Sequence, residues 1–121
     1  MALVLIVEDE EQVRVLADSI LQEDGHKTLT ADTTEQALAI LESGEKVDVL
    51  FTDIGLHGDN QAGLTLAQEA TKRLSSLPVL YTTGQGVTDG MQALFVEQYG
   101  FVAKPYTASQ LTTAIKNLVD R

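Results

Sequence analysis

Four apolar runs of this 121-residue chain are each followed by a residue able to do chemistry on a charged ligand. Leu3 to Val7 leads directly into Glu8, Asp9, Glu10 and Glu11, and Val47 to Thr52 delivers Asp53. Val79 to Thr82 leads into Thr83, and Phe101 to Ala103 into Lys104 and Pro105. If Glu8, Asp9 and Asp53 converged, each pair of carboxylates would repel by roughly 1 to 4 kcal/mol, depending on screening by water. Such a cluster calls for a cation, and oxygen-only ligands at a partly open site suit Mg2+, which keeps several waters and takes one or two carboxylates plus phosphate oxygens. A carboxylate is also a competent nucleophile toward phosphorus. In that pocket Asp53 is the nucleophile, the metal and Lys104 neutralise phosphoryl oxygens, and Thr83 donates a hydrogen bond to one of them. Transfers of this kind are catalysed chiefly by positioning and charge stabilisation, so few residues suffice.

Each residue has a plainer explanation. Acids in the first turn of a helix meet its positive dipole end, which accounts for Glu10 and Glu11; for Glu8 and Asp9 taken alone both readings stand. Thr83 could cap a turn, and Lys104 could be an ordinary surface lysine. Yet Lys104 is the sole base between Arg73 and Lys116, and it falls after a strand whose end faces the acids.

The elements that must carry these residues follow from hydrophobic spacing. Leu3 to Val7, Lys27 to Ala31, Val47 to Thr52, Val79 to Thr82 and Phe101 to Ala103 read as short strands. Val13, Leu16, Ala17, Ile20 and Leu21 recur at helical spacing, as do Leu111, Ala114, Ile115, Leu118 and Val119. Ala37 to Leu41 marks a shorter helix and Ala67 to Leu74 another, with Thr34, Gly44 and Pro78 as punctuation. The fourth helix, Thr88 to Val96, is the weakest, because Gly90 lies inside it and only Met91, Leu94 and Phe95 form an apolar face. It should be the most mobile. Strand and helix alternating five times predict a single α/β domain over residues 1–121, a doubly wound parallel sheet with helices on both faces. The first and third strands are continuous apolar runs, as burial on both faces requires. Ligand sites in such sheets lie beyond the carboxyl ends of the strands, and with strand order 2-1-3-4-5 the ends carrying Glu8, Asp9 and Asp53 are neighbours.

Composition narrows the function. Eight Lys and Arg against eighteen Asp and Glu give a net charge of −10, which argues against nucleic acid and anionic membranes as partners. The acidity is local: residues 1–60 hold 14 acids and 3 bases, residues 61–121 hold 4 acids and 5 bases. The absence of Cys excludes disulfides, thiolate metal sites and thiol catalysis. No basic residue precedes Ala2 to Val7 as in a signal peptide, and no apolar run approaches a membrane span, so a soluble, cytoplasmic chain is expected.

An acidic pair after the first strand, Asp ending the third, Thr after the fourth and Lys-Pro after the fifth resemble, from end to end, the receiver domain of the two-component response regulator family. Here the pattern is Glu8-Asp9, Asp53, Thr83 and Lys104-Pro105. The resemblance implies a flavodoxin-like sheet with five helices. It also implies that Asp53 takes a phosphoryl group from a phosphohistidine on a sensor histidine kinase or histidine phosphotransfer protein, catalysing its own phosphorylation and dephosphorylation without being a turnover enzyme. It further implies that Asp9 and Asp53 bind Mg2+ directly, Glu8 through water and Gly55 through its carbonyl, and that the Lys104–Pro105 bond is cis. Thr83 would couple to Phe101, three positions before the Lys, in a switch that remodels the face of the fourth helix, fifth strand and fifth helix. Glycines 84, 86 and 90 suit a segment that must move.

The loop Ile54-Gly55-Leu56-His57-Gly58-Asp59 departs from the family pattern, with His57 where many relatives have Pro and extra polar residues before Gly63. A lone loop His is expected to be solvated. Gly55 lacks the side chain that in many relatives influences the attacking water, so Gln85 and solvent access are expected to govern the phosphoryl lifetime. A flavin or nucleotide binder would need Gly or hydroxyl groups, not four acids, after the first strand. An aspartyl phosphatase would need an acid where Gly55 stands. The rival of another class is a receiver-like interaction module that is not phosphorylated. Arg14, Asp18 and Gln22 on the first helix are the expected dock for the phosphodonor, and the switching face the expected surface for a downstream protein target or a homodimer. The chain is expected to act alone or as a domain excised from a hybrid kinase or larger regulator.

Overall fold

A computed structural model describes residues 2–120. Five parallel strands, β1 (Leu3–Val7), β2 (Lys27–Ala31), β3 (Val49–Asp53), β4 (Val79–Thr83) and β5 (Tyr99–Ala103), form one sheet in the order β2-β1-β3-β4-β5. The helices are α1 (Glu11–Glu23), α2 (Thr34–Glu42), α3 (Ala62–Arg73), α4 (Asp89–Gln92) and α5 (Ala108–Val119). This is the doubly wound parallel sheet expected from the alternation of apolar runs and helical spacing, with the flavodoxin-like form that the resemblance implied. Among the described residues no helix is long and apolar enough to cross a membrane.

Strand alternation divides the core in two. Leu5, Val7, Leu50, Val79 and Tyr81 pack with α2 and α3 through Ala37, Leu41, Leu66 and Ala67. Val4, Ile6, Val49, Phe51, Leu80 and Val102 pack with α1 and α5 through Ala17, Leu21, Leu111 and Ile115. Both faces of β3 and β4 are buried throughout, which is why β3 reads as an unbroken apolar run ending in Thr and Asp. Thr33 caps α2 by accepting from the Gln36 N–H, and Thr107 and Gln110 close a reciprocal capping box at the start of α5.

Register then aligns the functional ends. Val7 lies opposite Thr52, Asp53 opposite Thr82, and Thr83 opposite Ala103. Glu8, Asp53 and Lys104 each lie two residues beyond a residue buried on the α1/α5 face, Ile6, Phe51 and Val102. A period of two therefore sends their side chains to the same rim of the sheet.

The fourth helix is shorter than its sequence suggests. The α-helix ends at Gln92, and Phe95 N–H closes a tight turn on the Gln92 carbonyl that a continuing helix would offer to Val96. The Val96 N–H instead donates to Tyr81 Oη at 3.0 Å. Stacking of Phe95 on Tyr81, with centroids 4.2 Å apart and rings 17° from parallel, holds the segment against β4 rather than in a helical path. In α1 the apolar stripe is wider than the sheet can cover: Ala17 and Leu21 are buried, whereas Leu16 is exposed beside Val15.

Candidate functional site

The carboxyl ends of β1, β3, β4 and β5 enclose a cleft of about 480 Å³ whose lining includes Asp53, Gly55, Asn60, Thr83, Gln85 and Lys104. Asp53, only 8% exposed, ends β3. Its Oδ2 accepts from Lys104 Nζ at 2.5 Å and its Oδ1 from the Gly55 N–H at 3.1 Å. The same Lys104 ammonium lies 2.6 Å from Glu8 Oε1, so one cation bridges two buried carboxylates. Glu8 Oε2 accepts the Glu10 N–H at 3.1 Å, and Arg14 Nη1 donates to the Glu8 carbonyl at 3.0 Å.

The charges show what burial does. Desolvation pushes the Glu8 carboxyl up to about 7 from its ordinary 4.5, against the lowering pull of Lys104. Burial alone would depress Lys104, but its hydrogen bonds to Asp53 and Glu8, together with their charges, hold it above the ordinary lysine value. For Asp9, partial burial acts upward and is outweighed by hydrogen bonds, foremost that from the His57 N–H, so its carboxyl lies below its ordinary value. Tyr106, edge-on to Phe51 with centroids 5.9 Å apart, is raised to about 12 by burial and then by the charge of Glu8.

Three carboxylates share this rim with one ammonium. Glu8, Asp9 and Asp53 each offer an oxygen such that all three lie within 4.8 Å of one another. Their donor chemistry, oxygen alone around a net negative charge, fits a hard divalent cation such as Mg2+.

The residues singled out by sequence fall as follows. Glu8, Asp9, Asp53 and Lys104 come together. Thr83 is buried at the end of β4, its Oγ1 accepting the Gln85 N–H at 3.2 Å. Phe101, opposite Tyr81 in the register, is 39% exposed. Gly55 meets Asp53 through its N–H, and a Cβ there would have only ordinary contacts, with Asp59 O at 3.6 Å. The Lys104–Pro105 bond is cis. His57 is exposed, as expected, and its ring Nε2 also lies 2.7 Å from the Asp32 carbonyl while its N–H donates to Asp9 Oδ2 at 3.0 Å. The polar groups of the expected dock on α1 also bond within the chain. Arg14 is engaged with Glu8, and Asp18 Oδ1 accepts from Gln22 Nε2 at 2.8 Å and from Thr28 Oγ1 at 2.5 Å. Val15 and Leu16 are exposed on the same helix, as is Gln22.

Sequence reasoning passed over Gly63, Asn60 and Tyr106. Tyr106 follows Lys104-Pro105 closely enough to have been considered. Asn60 reaches the cleft only because the loop after β3 turns back on itself, which no spacing reveals.

A five-stranded sheet in this order, with an acid-lined cleft at its carboxyl edge bridged by one lysine, is the architecture of a signalling receiver domain. Residues 4–116 match the response regulator receiver domain family, and the chain belongs to it. It is 34% identical over 120 residues to the chemotaxis protein CheY of Pseudomonas aeruginosa, covering 98% of this chain and 96% of that protein. An NtrX-like response regulator of Rickettsia bellii is 32% identical over 114 residues, covering 93% of this chain but 24% of the relative. The chain thus spans about a quarter of that relative's length. A solved receiver domain protein of Clostridium thermocellum superposes with a TM-score of 0.88 at 28% identity, covering 100% of this chain and 96% of that one. The chain is a response regulator receiver domain of two-component signalling.

Proposed function

We propose that this receiver accepts a phosphoryl group on Asp53 from a phosphohistidine donor in a Mg2+-dependent reaction, and that the modification alters the face formed by α4, β5 and α5. One observation carries the reading: Asp53 is a buried carboxylate held by an ammonium, with two further carboxylate oxygens within 4.8 Å, at the mouth of an open cleft. Mg2+ held by Asp9 and Asp53, by Glu8 through water and by the Gly55 carbonyl would supply charge neutralisation for the phosphoryl oxygens.

The chain's own residues divide the remaining work. An Asp53 carboxylate oxygen attacks phosphorus, the P–N bond of the donor breaks, and the imidazole nitrogen leaves with the electron pair. Lys104 already lies on Asp53 Oδ2, so its ammonium can follow the charge onto a phosphoryl oxygen without a long excursion. Thr83 receives a hydrogen bond on Oγ1 and retains its own O–H for donation. Moving that hydroxyl toward the phosphoryl group opens the space into which the exposed Phe101 ring turns, a two-state population shift. Val15 and Leu16 form the apolar part of the surface that meets the phosphodonor, a kinase or phosphotransfer protein, and the switching face meets a downstream protein or a second copy.

Incubation with a phosphorylated histidine donor and Mg2+ tests this directly. Label should appear on wild type and be lost in Asp53→Asn and on chelation; equal labelling of the Asn variant would refute the assignment. If wild type stays unlabelled yet its α4/β5/α5 face still binds partners, the chain is an interaction module that is not phosphorylated.

A further inference from the structure

The loop after β3 closes on itself. Leu56 N–H donates to the Asp59 carbonyl at 3.1 Å and Asp59 N–H to the Leu56 carbonyl at 2.9 Å, leaving His57 and Gly58 as a two-residue tip. Their φ values, +50° and +80°, are the paired positive values of a type I′ turn. Glycine fits the second position freely, and His is among the few side chains enriched in the left-handed region. This conformation turns the His57 N–H out of the hairpin and onto Asp9 Oδ2, while the ring reaches the Asp32 carbonyl beyond β2. A carbonyl only accepts, so Nε2 carries the proton in this bond.

We propose that His57 is a positioning residue for Asp9 in metal binding. The inference rests on the metal reading above and concerns a residue that reading does not use. The imidazole pins the hairpin tip to the end of β2, and the pinned N–H holds one oxygen of the Asp9 carboxylate by a charge-assisted bond. The carboxylate so held offers an oxygen within 4.8 Å of oxygens of Glu8 and Asp53. A carboxylate whose rotation is already fixed loses less freedom on capturing a cation, and loss of such supporting bonds costs roughly 10- to 100-fold in metal affinity. Proline at position 57 could do neither job, having no N–H and a φ fixed near −65°. Glycine keeps the N–H and the left-handed backbone but loses the ring.

The test is Mg2+ titration by calorimetry of wild type, His57→Pro and His57→Gly, with urea melts in EDTA to establish that each folds. We expect His57→Pro to weaken Mg2+ binding about tenfold or more, with His57→Gly between it and wild type. A fold defect would not reproduce that order at matched EDTA stability. Independently of any substitution at position 57, the His57 amide proton in metal-free protein should lie downfield and move upfield in Asp9→Ala. Binding by both variants within about twofold of wild type, or an amide unmoved by Asp9→Ala, overturns the proposal. Should His57→Pro not fold, His57→Gly and the amide shift decide it. Wild type that binds no Mg2+ would instead sink the metal reading itself.

Discussion

A Cβ placed on Gly63 would stand 1.9 Å from the carbonyl oxygen of Asp53 and 2.8 Å from the Ile54 Cα. The α3 backbone therefore touches the backbone that carries Asp53, and the Gly63 N–H bonds the Ile54 carbonyl at 2.8 Å. No rotamer relieves a clash between two backbones. Gly63→Ala should cost about 3 kcal/mol, the upper part of the range for overpacking. It should also displace Asp53, lowering phosphoryl acceptance along with the urea midpoint. An unchanged midpoint would show that α3 can withdraw freely.

Lys104 answers two buried carboxylates at once, with Nζ 2.5 Å from Asp53 and 2.6 Å from Glu8. Removing one member of a buried ion pair typically costs about 3 to 5 kcal/mol, because the remaining charge stays unpaired. For Lys104→Ala, melts in EDTA should show a loss near the lower end of that range, since the site opens on the cleft. Added Mg2+ should then raise the melting temperature more in the variant than in wild type, the metal assuming part of the lost neutralisation. Equal shifts in both proteins would separate the lysine from the cation site.

Glu8 makes a signed pH prediction. Its folded carboxyl titrates near 7 against an ordinary 4.5 because burial penalises the charged form, so the folded state binds the proton more tightly than the unfolded chain. Without metal, this contribution to stability is fully present below about 4.5 and is lost as pH rises toward 7. Asp9 acts in the opposite sense but lower, since its carboxyl lies below its ordinary 3.8. Urea midpoints in EDTA should therefore fall between these pH limits, and saturating Mg2+ should reduce the fall by favouring the ionised carboxylate. Metal binding near neutrality should release protons, visible as a buffer-dependent calorimetric enthalpy. A midpoint that rises across this window in EDTA would contradict the burial argument.

The parts of the molecule legible in sequence are those set by a short-range pattern. Leu3 to Val7 is apolar on both faces because helices cover both, and that pattern alone placed Glu8 and Asp9 at a strand end. The carboxyl-edge rule then brought Asp53 and Lys104 to them. What escaped depends on tertiary competition. Leu16 keeps helical spacing yet is exposed, because periodicity gives the direction of a stripe and not the width of the surface covering it. The predicted helix to Val96 stops at Gln92, because Tyr81, distant in sequence, takes the Val96 N–H. The bonds of His57 are invisible until the two-residue hairpin tip is seen, since its partners Asp9 and Asp32 lie on other connections.

Tyr81 is the residue through which that shortened helix can be tested. Its ring stacks on Phe95 and lies 6.4 Å, centroid to centroid, from Tyr99, while Phe95 meets Tyr99 edge-on at 5.0 Å. The hydroxyl is the partner that the Val96 N–H finds in place of a helical carbonyl. Tyr81→Phe preserves the stack and deletes only the acceptor, so a half-buried N–H is left unsatisfied at a cost of about 1 to 2 kcal/mol. Within the chain, that N–H can recover a bond by winding further toward a helix on the Gln92 carbonyl. The variant should accordingly lose stability by that amount, and amide exchange should quicken at Val96 more than at Thr82 on the same sheet. Because Tyr81 lies two residues before Thr83 on one face of β4, loosening this anchor should also lower the free-energy cost of rearranging α4. Phosphorylation, or a beryllofluoride mimic of it, should then shift α4 resonances more completely in Tyr81→Phe than in wild type. Unchanged exchange at Val96 would mean that water replaces the hydroxyl there and that Tyr81 acts through its ring alone.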